Sequence, residues 1–221
     1  TGAFYSMFGG LAVKNIVVLV SGGGTNLQAL IDAQKAGKIK NGKITCVISS
    51  NPNAYALQRA EANGIDTAVI RRKDYAEFSE YSSALISLLN DKKADLIVLA
   101  GFMTILGEDV IKAFKNRIIN IHPSLIPAFC GEGFYGLKVH ECALQRGVKV
   151  TGATAHFVNE VCDGGPIILQ KAVAIENGDT PEILQKRVME QAEWKILPMA
   201  VALFCDDKIK VINDKTTEIL D

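Results

Sequence analysis

No sign of charge dominates this chain. Its 24 Lys and Arg residues balance 24 Asp and Glu residues, so the formal net charge is zero. Such a surface gives no general attraction to nucleic acid or to an anionic membrane. No run of 18 apolar residues occurs, and no membrane-spanning helix is expected. Cysteine is sparse and scattered: Cys46, Cys130, Cys142, Cys162 and Cys205 form no C-x-x-C pair. That spacing suggests neither a zinc site nor a disulfide framework, so no metal is expected. Free thiols in a reducing cytoplasm are. The G-x-S-x-G serine elbow is missing as well, and none of the cysteines has an evident activating setting, which disfavours a covalent nucleophile.

What is present fits one sizeable globular domain. The 221 residues are 48% hydrophobic and 22% charged. The opening "TGAFYSMFGGLAV" has no charged n-region, so residues 1–13 read as an N-terminal extension or an expression remnant. A single domain is expected over 14–221.

Apolar β-branched runs then alternate with helical patterns. "NIVVLV", "KITCVISS", "IDTAVI", "ADLIVLA" and "RIINI" read as buried strands. Between them lie helical stretches. The clearest is "YAEFSEYSSALISLLND", with Phe78, Tyr81, Leu85, Leu88 and Leu89 on one face. The alternation predicts an α/β, Rossmann-like fold, a mostly parallel central sheet with helices on both faces. After Pro123 the pattern changes. "VTGATAHFVNE" and "PIILQKAVAI" predict an antiparallel extension around the turn "VCDGGP". One long final helix is expected from Thr180, with Pro198 as a kink or turn, and "KIKVIND" as a closing strand.

Two places interrupt the apolar strands with chemistry. The first is "VSGGGTNLQ", between the first strand and the first helix. Glycines let the backbone approach a ligand, and a helix N-terminus offers free N–H groups to an anion. Thr25 and Asn26 can add side-chain donors. Leu27 takes the third glycine place of a dinucleotide fingerprint, and the P-loop lysine is absent, so a smaller phosphate ligand is expected. The competing reading is a tight turn capped by Asn or Thr.

The second is "IINIHPSLIP". Side chains alternate along a strand, so Asn120 and His122 share one face and Ile121 takes the other. Both would emerge at the carboxyl end of a parallel strand, and Pro123 helps stop it there. An amide N–H and an imidazole N–H could together hold an oxyanion. Asp163, in "VCDGGP", is the candidate partner that would orient His122 and favour its protonated form. Read structurally, Asp163 is only a turn residue. His156 precedes that turn and is a candidate supporting residue behind Asp163. His140 reads as a partly exposed helix residue.

"NIVVLVSGGGTNLQALIDA", "LAGFMTILGE", "IINIHPSLIPAF" and "HFVNEVCDGGPIILQ" resemble the phosphoribosylglycinamide formyltransferase family over nearly the whole chain. The resemblance implies 10-formyltetrahydrofolate as co-substrate and glycinamide ribonucleotide as acceptor. It implies a phosphate-binding half at about 14–115 and a folate-side half at about 116–221. Asn120, His122 and Asp163 match the family's catalytic positions. Gly23, Gly24, Thr25 and Asn26 match its phosphate turn, and Glu193, with Glu190 one turn earlier, matches its ribose contact. Met103, Thr104, Ile105 and Leu106 match one wall of the folate site. Val158, Asn159, Val161 and Asp163 match the loop that covers the other side. Thr104 stands where members often carry a basic residue, and Trp194 where many have His. "AFCGEGFYGLKVH" is longer and more aromatic than in some members. Arg71, Arg72 and Lys73 read as a solvated charge run.

Three rivals share the fold. Methionyl-tRNA formyltransferase adds a C-terminal tRNA-binding domain, and formyltetrahydrofolate deformylase adds an N-terminal regulatory domain. Neither addition is expected here. A non-catalytic sugar-phosphate-binding module would have little use for Asn120, His122 and Asp163 together. The expected partners are small molecules alone, with no nucleic acid and no membrane, for a cytoplasmic monomer or homodimer.

Overall fold

The central strand β1 (Lys14–Val20) is fully buried from Ile16 to Val20. Ile16, Val18 and Val20 pack into one apolar layer, Val17 and Leu19 into the other. A strand covered on both faces needs apolar side chains on both, hence the unbroken run. The computed structural model describes residues 12–221, so most of the expected N-terminal extension lies outside the described residues.

The chain then alternates as expected. Helix α1 (Thr25–Lys35) leads to β2 (Gly42–Ser49), α2 (Tyr55–Glu61) to β3 (Asp66–Val69), and α3 (Phe78–Asp91) to β4 (Leu96–Leu99). A short α4 (Glu108–Ala113) precedes β5 (Ile118–His122). Helix α5 (Leu137–Arg146) then leads to β6 (Val150–Phe157) and β7 (Ile167–Ala174). The seven strands form one sheet in the order β3-β2-β1-β4-β5-β6-β7. Pairing is parallel from β3 through β5 and antiparallel for β5–β6 and β6–β7.

Helix α3 shows how the layers close. Tyr81, Leu85 and Leu89, four residues apart, are all fully buried. Leu85 and Leu89 each contribute roughly 1.5–3 kcal/mol by leaving water. Phe78 and Leu88, expected on the same face, stay partly exposed at its margin. Glu77 and Glu80 form a reciprocal capping box that satisfies the helix's first N–H groups.

The C-terminal part departs from the expected single helix. Helix α6 (Pro181–Val188), N-capped by the Thr180 hydroxyl, passes through a π turn at Met189–Glu193 into α7 (Trp194–Cys205). Pro198 sits inside α7, without ending it. A helical proline cannot bond to the carbonyl four residues back, here that of Trp194, and crowds it. The π turn lies directly ahead of Trp194, one turn before the proline. After α7, the expected closing strand β8 (Ile209–Val211) pairs with β9 (Thr217–Ile219), which the sequence pattern did not reveal.

The strand order positions the site. From β1 the chain steps outward to β2 and β3, then crosses to β4 on the other side of β1. The loops after β1 and β4 thus leave to opposite sides, and a crevice opens at the carboxyl ends of these strands. Among the described residues, no helix is long and apolar enough to cross a membrane.

Candidate active site

The glycine loop lies on one side of this crevice. Gly24 N-caps α1 in the left-handed region, at φ +73°. A Cβ there would lie 2.6 Å from Ala56 Cβ of α2, so both conformation and space demand glycine. Neither Thr25 nor Asn26 caps the helix, which sets aside the capped-turn reading. The first N–H groups of α1 stay directed at the crevice, suited to an anion. Gly23 and Thr25 are exposed.

Asn26 has another task. Its Nδ2 donates to Glu193 Oε2 at 2.7 Å. It is therefore not a free phosphate donor. Glu193 is 6% exposed, and burial lifts its carboxyl to about 7 against the lowering effect of Asn26. Among the described residues nothing bonds to Asn26 Oδ1, although it is buried. An acid protonated near neutrality beside an orphaned acceptor suits a hydroxyl-bearing ligand. Glu190 does not join them, contrary to the expectation from helical spacing. It is exposed, 3.9 Å from Lys186. The π turn holds more than four residues per turn and so rotates positions 190 and 193 apart.

Asn120, His122, His156 and Asp163 come together at the end of β5. Asn120 lies directly opposite His156 in the antiparallel β5–β6 register, and His122 opposite Thr154. His156 donates from Nδ1 to the carbonyl of its neighbour Phe157 at 2.8 Å. Its Nε2 is then free to accept from Asn120 Nδ2 at 3.2 Å. The second amide hydrogen of Asn120 faces Asp163 Oδ1 at 3.5 Å.

Asp163 is the hub. It adopts φ +53° in the loop between β6 and β7, and its side chain is 9% exposed. Oδ2 accepts from the Gly131 N–H at 2.9 Å and lies 3.4 Å from His122 Nδ1. Oδ1 lies 3.7 Å from His156 Nε2. Burial alone would raise this carboxyl. The neighbouring His156 and His122 imidazoles and the Gly131 N–H overcome it and hold Asp163 below the usual range. Gly165 lets the loop close: a Cβ there would stand 1.9 Å from the Phe157 carbonyl oxygen.

His122 corrects one expectation. Burial lowers its pKa and outweighs the attraction of Asp163 and the bond to Phe129. Burial therefore favours the neutral imidazole, not the protonated one. Its Nε2–H is already used, donating to the Phe129 carbonyl at 2.9 Å. The loop after Pro127 thus touches both members of the pair, Phe129 on His122 and Gly131 on Asp163. Both contacts come from backbone atoms, which leave no mark in the residue types. His140, expected partly exposed, is fully buried. Burial, and next the charge of His122, take its pKa down to about 4.

The expected folate walls flank this cluster. Met103, Ile105 and Val161 are exposed large apolar side chains. Thr104, Val158 and Asn159 are half-buried, while Leu106 turns into the core. The Met103 N–H is held by Ser21 Oγ at 2.9 Å, which ties this loop to the glycine loop. Asn159 Oδ1 accepts from the Val161 N–H at 3.1 Å and shapes the opposite loop. Arg71 pairs with Asp74 at 2.6 Å, and Arg72 donates to the Tyr75 carbonyl at 2.7 Å. Both arginines therefore hold local structure.

Comparison with known proteins places this arrangement. The family model described as formyl transferase matches residues 14–201. A phosphoribosylglycinamide formyltransferase of Haemophilus influenzae is 41% identical over 90% of this chain and 91% of its own length. A trifunctional purine biosynthetic protein adenosine-3 of Gallus gallus is 42% identical over 89% of this chain, which spans only 19% of that relative's length. The crystal structure of a glycinamide ribonucleotide transformylase 1 from Symbiobacterium toebii is 41% identical, with a TM-score of 0.89 over 100% of both chains. A match that runs through the glycine loop, β5 and the Asp163 turn alike is a match of the whole architecture, and this chain belongs to the formyl transferase family.

Proposed function

We infer that this protein transfers the formyl group of 10-formyltetrahydrofolate to the amine of glycinamide ribonucleotide. The observation that carries the reading is the shared sheet edge. The open N-terminus of α1 and the Asn26–Glu193 pair lie at the same edge as Asn120, His122 and Asp163. A phosphate with a ribose suits the first group, and a carbonyl under attack suits the second. The Haemophilus influenzae relative supports the choice, being matched over 91% of its length.

The chemistry follows from the hydrogen bonds. The substrate amine adds to the formyl carbon, and negative charge gathers on the formyl oxygen. Asn120 offers its second amide hydrogen, which Asp163 holds only at 3.5 Å. His122 Nε2–H becomes a second donor once the Phe129 carbonyl yields to substrate. Contacts of this kind commonly tighten only around the reacting complex. The amine nitrogen must then lose a proton and the folate nitrogen must gain one. In the neutral His122 the unprotonated nitrogen is Nδ1, so the amine proton passes by way of Asp163 Oδ2, 3.4 Å away, to Nδ1. The carboxylate stabilises the imidazolium that results, and its Nε2–H goes to the folate nitrogen. The C–N bond to the folate then breaks as its nitrogen is protonated. We assign Met103, Thr104, Ile105 and the loop of Val158 to Val161 to the folate, Gly23, Gly24 and Thr25 to the phosphate, and Glu193 to the ribose. The exposed Glu190 is left out of the ribose site. The enzyme is a cytoplasmic one acting on small molecules.

An absorbance assay for the tetrahydrofolate product tests the reading. Product should form only when glycinamide ribonucleotide is added. Equal turnover without the ribonucleotide would make water the acceptor and sink it.

A further inference from the structure

The hairpin of β8 and β9 lies beyond the residues that the family model matches. It touches the Asp163 turn at one charged atom. Lys215 Nζ donates to the Gly164 carbonyl at 2.8 Å. Gly164 directly follows Asp163 and has the widest backbone freedom of any residue type. Two bonds remove that freedom. Its N–H donates to the Val161 carbonyl at 2.9 Å, and its carbonyl accepts from Lys215. Both peptide groups that flank Gly164 are thereby fixed, and with them the direction in which Asp163 leaves the chain. Asp163 itself holds φ +53°, a left-handed conformation that a non-glycine residue keeps where its surroundings support it.

The lysine is in turn held in place. Asn213 Oδ1 accepts from the N–H groups of Lys215 at 2.9 Å and Thr216 at 3.0 Å, which sets the hairpin turn. The turn is tied to the start of β7 on both sides. Ile167 N–H donates to the Lys215 carbonyl at 3.3 Å, and Thr217 Oγ1 donates to the Ile167 carbonyl at 2.7 Å. A solubilising lysine would need none of this framework.

We propose that Lys215 is a positioning residue for Asp163, acting through the Gly164 carbonyl from the C-terminal hairpin. The proposal rests on the reading of Asp163 as the carboxylate behind His122. Lys215 is exposed, so its variants should fold. In K215M, kcat should fall about tenfold, because small misplacements of a reacting group are costly. KM for the ribonucleotide should stay within about twofold, as the phosphate and ribose contacts lie elsewhere. The pH profile of kcat should shift, since a misaimed Asp163 supports the His122 proton less well. K215R keeps a cationic donor and should recover most of the rate. K210M is the control, because Lys210 faces Glu218 at 3.7 Å on the same hairpin and should keep parental kcat. A K215M enzyme with lowered Tm but parental kcat and pH profile would overturn the proposal and make the hairpin a strut. D163N is measured alongside. If D163N kept full turnover, the reading of Asp163 would fail first; if D163N were slow and K215M parental, only the role of Lys215 would fail.

Discussion

Two buried carboxyl groups sit in this crevice, and their protons behave in opposite ways. Glu193 is 6% exposed and is pushed up to about 7. Asp163 has a side chain only 9% exposed and is held below the usual carboxylate range. Burial raises both. The difference lies in the partners. Glu193 receives one neutral amide N–H, from Asn26. Asp163 receives a backbone N–H and faces two imidazoles. One end of the crevice therefore keeps a protonated acid that can share hydrogen bonds with hydroxyl groups, and the other keeps an anion that can receive positive charge. Desolvation sets the cost of ionising, and the donor count decides whether that cost is met.

The sharpest way to break this comparison is to remove the anion. Asp163→Asn keeps the shape and discards the charge, and Asn120→Ala discards the oxyanion donor. Each should lower kcat by about 100-fold or more, on the scale of other oxyanion donors, with far smaller changes in KM. Steady-state rates with both substrates varied check this, and near-full turnover in both variants would undo the catalytic assignment.

A smaller effect should follow at Glu193. Its folded pKa of about 7 lies above the unfolded carboxyl value of 4.5, so the folded chain binds the extra proton. Its contribution is therefore favourable at low pH and is lost as pH rises from about 4.5 through 7. Full loss amounts to roughly 3 kcal/mol. Glu193→Gln still accepts from Asn26 and has no proton to lose. Its Tm should exceed that of the parent by several degrees at pH 8 and match it near pH 4.5. Equal Tm differences at both pH values would show that Glu193 does not titrate in this range. Asp163 has the reverse sign, since its depressed pKa supports the fold until pH drops below the ordinary carboxylate value.

The smallest expected effect sharpens the same contrast. Asn26→Leu removes the one donor on Glu193 among the described residues. The carboxyl should titrate higher still, by up to about one unit, as suits the loss of a single neutral hydrogen bond. Infrared titration of the protonated carboxyl band would read the shift directly.

Much of this was legible in the chain, for reasons that differ by residue. Strand alternation put Asn120 and His122 on one face, and the observed register agrees. The run of Ile16 to Val20 announced a strand covered on both sides. Helical spacing failed at Glu190, because a π turn rotates the chain where the pattern assumes an α-helix. The sign of the His122 shift was also missed. Its partner Asp163 is visible in sequence, whereas the depth at which both are buried depends on how loops 128–136 and 158–166 close. Phe129 and Gly131 act through backbone atoms, which any residue would supply.

The close approach at Gly165 carries a lesson for reading "DGGP" in other chains. With the Phe157 carbonyl 1.9 Å from where a Cβ would stand, that glycine is required by the crossing of two backbones and owes nothing to formyl chemistry. A descendant that lost its activity would still be selected to keep it, while its aspartate drifted. The glycine thus serves as a marker of ancestry, and only the acid before it as a marker of a working enzyme.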